Sequence, residues 1–150
     1  EGEGEGGGAM RGALSVYVGG PSGEYVRVRA VRAVLRMAGH SISHDWTVAV
    51  ERWGQHGETL TPEQRERQAT DDLAGVVAAS VVLVLWPRTP GAVGTYVELG
   101  AALVQRGTPP YGCLVVISGG PTSIWHSLAD HVAETDEQAI EWIIRKGAAA

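Results

Sequence analysis

The chain has 150 residues, 44% of them hydrophobic and 19% charged, which suits one domain around one buried core. Its formal charge is −5, and −2 once the three glutamates of the Glu/Gly segment Glu1–Ala9 are set aside, so no basic field draws it to a nucleic acid polymer. One cysteine excludes an internal disulfide, and no apolar run is long enough to span a bilayer.

Residues 1–9 read as a linker or tag remnant, 10–146 as the domain and 147–150 as a disordered tail. Leu14-Ser15-Val16-Tyr17-Val18 favours a strand, ended by Gly19-Gly20-Pro21-Ser22-Gly23. A helix follows, with Val28, Val31, Leu35 and Ala38 at helical spacing and Gly39 just beyond. Its arginines, Arg27, Arg29, Arg32 and Arg36, read as a solvated face. Ser41-Ile42-Ser43 is a weak second strand, and Trp46 to Leu60 a short helix running into a loop. Thr61-Pro62-Glu63-Gln64 starts the next helix: a hydroxyl N-cap, proline in the first turn, glutamine three residues on. Ala69, Leu73, Val76 and Val77 form its expected inward stripe.

Ser80 to Trp86 is a continuous apolar run, the pattern of a central strand buried on both faces. Pro87 to Gly94 is a loop, Thr95 to Arg106 a helix, and Gly112 to Ile117 a further strand in which Cys113 is a small core residue. The last helix starts at Thr135, with Gln138 three residues on and Ala139, Ile140 and Ile143 facing inward. This alternation predicts an α/β fold: a Rossmann-like or flavodoxin-like parallel sheet with helices on both faces. Such sheets bind ligands beyond the carboxyl ends of their strands. That places the site at three loops, Gly19–Gly23, Pro87–Gly94 and Ser118–Ser123.

The chemistry at those loops centres on Glu98, in the first turn of its predicted helix. Thr95-x-x-Glu98 is also a capping box, in which the carboxylate would only bond a backbone N–H. Two neighbours favour a reactive role. Tyr17 ends the first strand and can donate its hydroxyl to a carboxylate. Asp72 lies at the edge of an apolar stripe, where partial burial raises a carboxyl pKa. Two carboxyls in unlike surroundings are what glycosidic cleavage requires, one as nucleophile and one as proton donor. His40 and His44, with Asp45, are four residues apart but read as strand or loop, where that spacing does not bring the imidazoles together as it would on a helix, so no metal is expected there. Trp46 is read either as a base-stacking platform or as a core residue.

Tyr17-Val18-Gly19-Gly20-Pro21, Asp72 eight residues before a buried strand, and Gly94-Thr95-Tyr96-Val97-Glu98-Leu99-Gly100-Ala101-Ala102 resemble the nucleoside 2-deoxyribosyltransferase superfamily. That group includes deoxyribosyltransferases and (deoxy)nucleoside 5′-monophosphate N-glycosidases, and the likeness runs from about Leu14 to Ile143. It implies Glu98 as the nucleophile at C1′, Asp72 as proton donor to the base, and Tyr17 as the residue orienting Glu98. It also implies a nucleotide pocket lined by Gly19, Gly20, Ser22 and Gly94, with Trp46 against the base. Ser123 would come from a neighbouring subunit of a homodimer or larger homo-oligomer. No cofactor, nucleic acid polymer or membrane is expected as a partner, and the compartment expected is the cytoplasm.

The chain departs from the family pattern at three places. Ala92 stands where the transferases carry Asp and the phosphate-binding hydrolases Ser; Ser80 replaces a usual Asp; and the first loop has no arginine. The departure at Ala92 tilts the expectation from transfer toward hydrolysis. Pro90-Gly91-Ala92-Val93-Gly94-Thr95-Tyr96-Val97-Glu98 also resembles a motif of the cytokinin-activating phosphoribohydrolases, without their further Gly-rich loop and Arg-Lys pair. The contrasting expectation is a non-catalytic nucleotide-binding module with Glu98 as a helix cap.

Overall fold

The computed structural model describes residues 12–54, 59–108 and 112–149. The segment 1–9, residues 55–58 and residue 150 lie outside the described residues. Five strands form one sheet: β1 (Ser15–Gly19), β2 (Ser41–Ile42), β3 (Val81–Leu85), β4 (Leu114–Ser118) and β5 (His131–Ala133). Their spatial order is β2-β1-β3-β4-β5, every pair parallel. The helices are α1 (Tyr25–Met37), α2 (Thr47–Trp53), α3 (Pro62–Ala78), α4 (Val93–Arg106) and α5 (Asp136–Ala149). Helix α1 packs against α5, and α3 against α4.

The sheet is a buried layer because its strands are apolar on both sides. All five residues of β3 are buried, as are Val16, Tyr17 and Val18 of β1 and Val115, Val116 and Ile117 of β4. Side chains alternate faces along a strand, so such runs need cover above and below. Register sets Tyr17 beside Val82 and Gly19 beside Val84. The chain order reverses direction between β1 and β3, the switch point at which crossover loops diverge and leave a crevice. No helix among the described residues is long and apolar enough to cross a membrane.

Several expectations need correction. Helix α3 begins with the full reciprocal capping box of Thr61 and Gln64, yet its inward residues are Gly75 and Val76. Leu73 and Val77 are exposed, and so is Ala69. Helix α1 is a solvated arginine face only in part: Arg36 is exposed and Arg29 partly so, but Arg27 and Arg32 are not. Arg32 is 1% exposed, bonded to Asp45 and Thr47, and Arg27 forms a two-pronged bond to Asp136. Helix α5 runs to Ala149 with Gly147 buried, so the tail expected from 147 is helical through 149. The short strand β5 has no strong sequence signal and pairs with β4. Cys113 is buried in the core.

A polar network fixes the loop after β3. Arg27 also donates to Glu24 at 2.9 Å and to the Trp86 carbonyl at 3.0 Å. Glu24 accepts from the backbone N–H groups of Arg88 and Thr89 at 2.9 and 3.1 Å. These bonds hold the Glu24 carboxyl below its ordinary pKa even though burial opposes that. One acid of the first loop thereby holds the second loop of the crevice.

Candidate active site

The crevice between β1 and β3 holds a cavity of about 430 Å³. Its walls come from the first loop (Gly20, Pro21, Ser22), from α2 and its N-cap (Trp46, Val50), from α3 (Gln68, Asp72) and from the run Gly91–Thr95 with Glu98. Two of the three loops expected at the site therefore meet here. The loop Ser118–Ser123 does not line this cavity; the Ser123 hydroxyl lies 2.7 Å from His126 Nδ1.

Helix α4 starts two residues earlier than its sequence suggests. Ala92 is the N-cap and has no side chain to bond the first turn. Thr95 then lies inside the helix rather than at its cap, and Glu98 falls in the second turn. The capping-box reading fails on geometry: Glu98 Oε1 accepts from the Tyr17 hydroxyl at 2.7 Å, while Oε2 is buried without a hydrogen-bond partner among the described residues. Thr95, 2% exposed, likewise has an unpartnered hydroxyl. A buried carboxyl oxygen with no partner costs free energy unless a ligand or water completes it.

Glu98 is 8% exposed. Burial pushes its carboxyl pKa from 4.5 up to about 8; the Tyr17 hydrogen bond opposes this, the nearby Asp72 charge adds to it, and Arg32 opposes it. Tyr17, fully buried, has its hydroxyl pKa driven far up, first by burial and then by Glu98. It is therefore a permanent hydrogen-bond donor to Glu98. Gly19 makes the arrangement possible, since a Cβ there would stand 2.7 Å from Glu98 Oε2. Gly75 of α3 plays the same part behind the site. A Cβ on it would come within 2.5 Å of His44 Cβ and 3.0 Å of the Tyr17 ring.

Asp72 is half-buried and paired: its Oδ1 lies 3.0 Å from His44 Nε2. Burial raises its pKa, with His44 opposing. His40 goes elsewhere, its Nδ1 accepting the Leu14 N–H at 3.1 Å, so the two histidines do not converge. Among the described residues no cluster of His, Cys, Asp and Glu is arranged to hold a metal ion. Trp46 is a wall rather than an open platform. It is 5% exposed, its indole N–H donates to the Val18 carbonyl at 2.9 Å, and Arg32 lies over its ring. The His44–Asp72 pair, the buried Arg32 and the wall residues Gln68 and Val50 escaped sequence reasoning. Only Gln68, one helical turn before Asp72, had a usable signal in its spacing.

No family model matches the sequence, and no curated protein matches it. Among solved structures, the chain is similar to the 2-deoxyribosyltransferase from the psychrotolerant bacterium Bacillus psychrosaccharolyticus. The two are 19% identical, the match covers 84% of this chain and 90% of that one, and the TM-score is 0.65. The chain therefore has the α/β fold of a 2-deoxyribosyltransferase, a five-stranded parallel sheet flanked by helices.

Proposed function

We propose that this protein is an N-glycosidase that cleaves the base–sugar bond of a (deoxy)nucleoside or its 5′-monophosphate through a covalent glycosyl-Glu98 intermediate. The observation that carries the reading is the pair of Glu98 oxygens: one fixed by Tyr17, the other buried beside the crevice and without a partner among the described residues. In the first step Glu98 Oε2 bonds to C1′, and the C1′–N bond breaks with its electron pair going to the base. Asp72 delivers the proton that the departing base nitrogen needs. Water then attacks C1′, the Glu98 carboxylate leaves, and Asp72 takes the proton back.

Burial raises both carboxyls, and the nearby Asp72 charge raises Glu98 further. The reactive form has one proton between them, placed on Asp72. The Tyr17 hydrogen bond favours ionised Glu98 and so moves the proton in the needed direction; Arg32 lowers both carboxyls and His44 lowers Asp72. Hydrolysis is favoured over transfer because Ala92 offers no polar side chain where the transferases carry Asp. If transfer is the reaction, a second base replaces water in the second step on the same residues.

The fold's likeness to a deoxyribosyltransferase supports chemistry at a glycosidic bond, with a nucleoside as the small-molecule partner. Ser22 and the N–H groups opening α4 supply the polar end of the pocket, suited to the sugar's 5′ group. Ser123 is proposed to reach a site only across a subunit interface in a homo-oligomer. The protein is proposed to act in the cytoplasm.

A chromatographic screen for free base tests the reading. A panel of nucleosides and 5′-monophosphates is incubated with and without a second acceptor base. Release without acceptor, lost in Glu98→Ala, is the expected result; release only with acceptor identifies a transferase. No release from any compound, with nucleotide binding retained, makes the chain a binding module.

A further inference from the structure

Two buried polar atoms of α4 have no hydrogen-bond partner among the described residues, Glu98 Oε2 and the Thr95 hydroxyl. Glu98 Oε2 is the attacking atom, and Thr95 takes no part in that chemistry. Yet Thr95 is 2% exposed and lines the same cavity of about 430 Å³. A helical threonine hydroxyl commonly turns back to the carbonyl four residues earlier. Thr70 does so with Glu66, and Thr108, just past the end of α4, with Val104, both at 2.8 Å. Thr95 makes no such bond. A buried hydroxyl left unpaired costs free energy, so a native fold keeps one where a ligand or a water completes it.

Side chains on a helix lean toward its N-terminus. The Glu98 carboxyl therefore reaches back over the turn that holds Thr95, three residues earlier on the same helix. Thr95 thus stands on the attacking side of the sugar, whereas Asp72, which serves the base, belongs to α3. A Cβ on Gly91 or Gly94 would meet no atom within 4 Å, so the backbone just before Thr95 leaves room for a ring. Glu98 attacks C1′ from the face opposite the base. In a ribonucleoside the 2′-hydroxyl lies on that face, on the carbon bonded to C1′. In an arabinonucleoside it lies on the base's face, and in a 2′-deoxynucleoside C2′ carries no oxygen. The 3′-hydroxyl shares the attacked face but stands one carbon further from the nucleophile.

We propose that the substrate's sugar is a ribose, with its 2′-hydroxyl hydrogen-bonded to the Thr95 hydroxyl. The inference rests on the glycosidase reading above and names the sugar class of that site. It makes Thr95 a specificity-determining residue. A hydroxyl both donates and accepts, so Thr95 can pair with a sugar hydroxyl in either direction. A sugar without a 2′-oxygen on the attacked face leaves Thr95 buried and unpaired, which is how a polar site rejects an analogue lacking the group it binds.

The test measures base release from one purine and one pyrimidine nucleotide, each as its ribose, arabinose, 2′-deoxyribose and 3′-deoxyribose form. Ribose and arabinose differ only in the face that carries the 2′-hydroxyl, so its inductive slowing of base loss is common to both. The wild type is expected to favour ribose over arabinose in kcat/KM at least about tenfold. Thr95→Val, close in shape but without the hydroxyl, should lower that ratio about tenfold. Thr95→Ser, which keeps a hydroxyl, should retain most of it. Arabinose or 2′-deoxyribose forms turned over while the ribose forms are not would overturn the inference and leave the glycosidase reading in place. So would a ribose-to-arabinose ratio untouched by Thr95→Val; if the loss in that variant vanished only on the 3′-deoxy forms, the hydroxyl would belong to the 3′ position instead. Release from no compound at all defeats the glycosidase reading, and this inference with it.

Discussion

The Tyr17 hydroxyl and the Glu98 carboxyl, 81 residues apart in the chain, meet at 2.7 Å beneath the floor of the crevice. The bond joins the middle of β1 to the second turn of α4 across the point where the sheet's connections diverge. It leaves Glu98 one oxygen held and one unpartnered, and it favours the ionised carboxyl against the burial that raises its pKa.

Replacing Tyr17 with Phe removes that stabilisation of the charged form. A hydrogen bond to a charged group is worth about 1.5–3 kcal/mol, so kcat/KM should fall about 10- to 100-fold. The sign of the pH effect also follows. Loss of a bond that lowers the Glu98 pKa raises it further, so the alkaline limb of the pH–rate profile should move above its starting point near 8. A slower enzyme with an unmoved limb would count against the role given to Tyr17.

Glu98 also makes stability depend on pH. Its folded pKa of about 8 lies above the ordinary 4.5, so its protonated form suits the folded state. That contribution is intact below about 4.5 and is lost as pH rises through about 8. Glu98→Gln, which keeps the shape and an oxygen for Tyr17, should match wild type at pH 4. At pH 9 it should be more stable by a few kcal/mol. Urea unfolding at the two pH values checks this; an equal difference at both would refute it.

Gly19→Ala tests the packing of the nucleophile. The added Cβ would come within 2.7 Å of Glu98 Oε2, and Gly19 has no positive φ that an alanine would strain. Base release should fall at least about 100-fold, with stability changed by only about 1 kcal/mol. Thermal melting and turnover are read side by side. An active Gly19→Ala enzyme would mean that Glu98 Oε2 is not the attacking atom.

The site's outline was legible and its wiring was not. Tyr17, Asp72 and Glu98 could be nominated because strand ends and glycine-rich loops locate a crevice from periodicity alone. The pairing of His44 with Asp72 depends on which way the residue after β2 turns relative to α3, and no spacing encodes that. On α3 the apolar pattern pointed at Ala69, Leu73, Val76 and Val77, of which only Val76 is buried. The inward face carries Gln68 and Asp72 beside Gly75 and Val76 because part of it borders a cavity instead of a core. Arg32 was misread for a related reason: its partner Asp45 lies across a helix–loop contact, so a buried ion pair looked like a solvated charge.

That ion pair gives a further expectation. Arg32 is 1% exposed and its burial lowers its pKa, while Asp45 supplies the opposing charge. Asp45→Ala should destabilise the fold by about 3 kcal/mol, because it leaves a buried cation unpaired. Combining it with Arg32→Met should restore part of the loss. Additive losses in the double variant would show that the pair is not coupled.

The covalent role of Glu98 is tested most directly by peptide mass spectrometry. The protein is incubated with its best substrate bearing a 2′-fluorine in the arabino configuration, which slows breakdown of a glycosyl ester, and is then quenched in acid. The expected result is a mass increase of one fluorinated sugar on the peptide containing Glu98, absent in Glu98→Gln. Continued base release with no adduct on that peptide, and with Glu98→Gln still active, would contradict it.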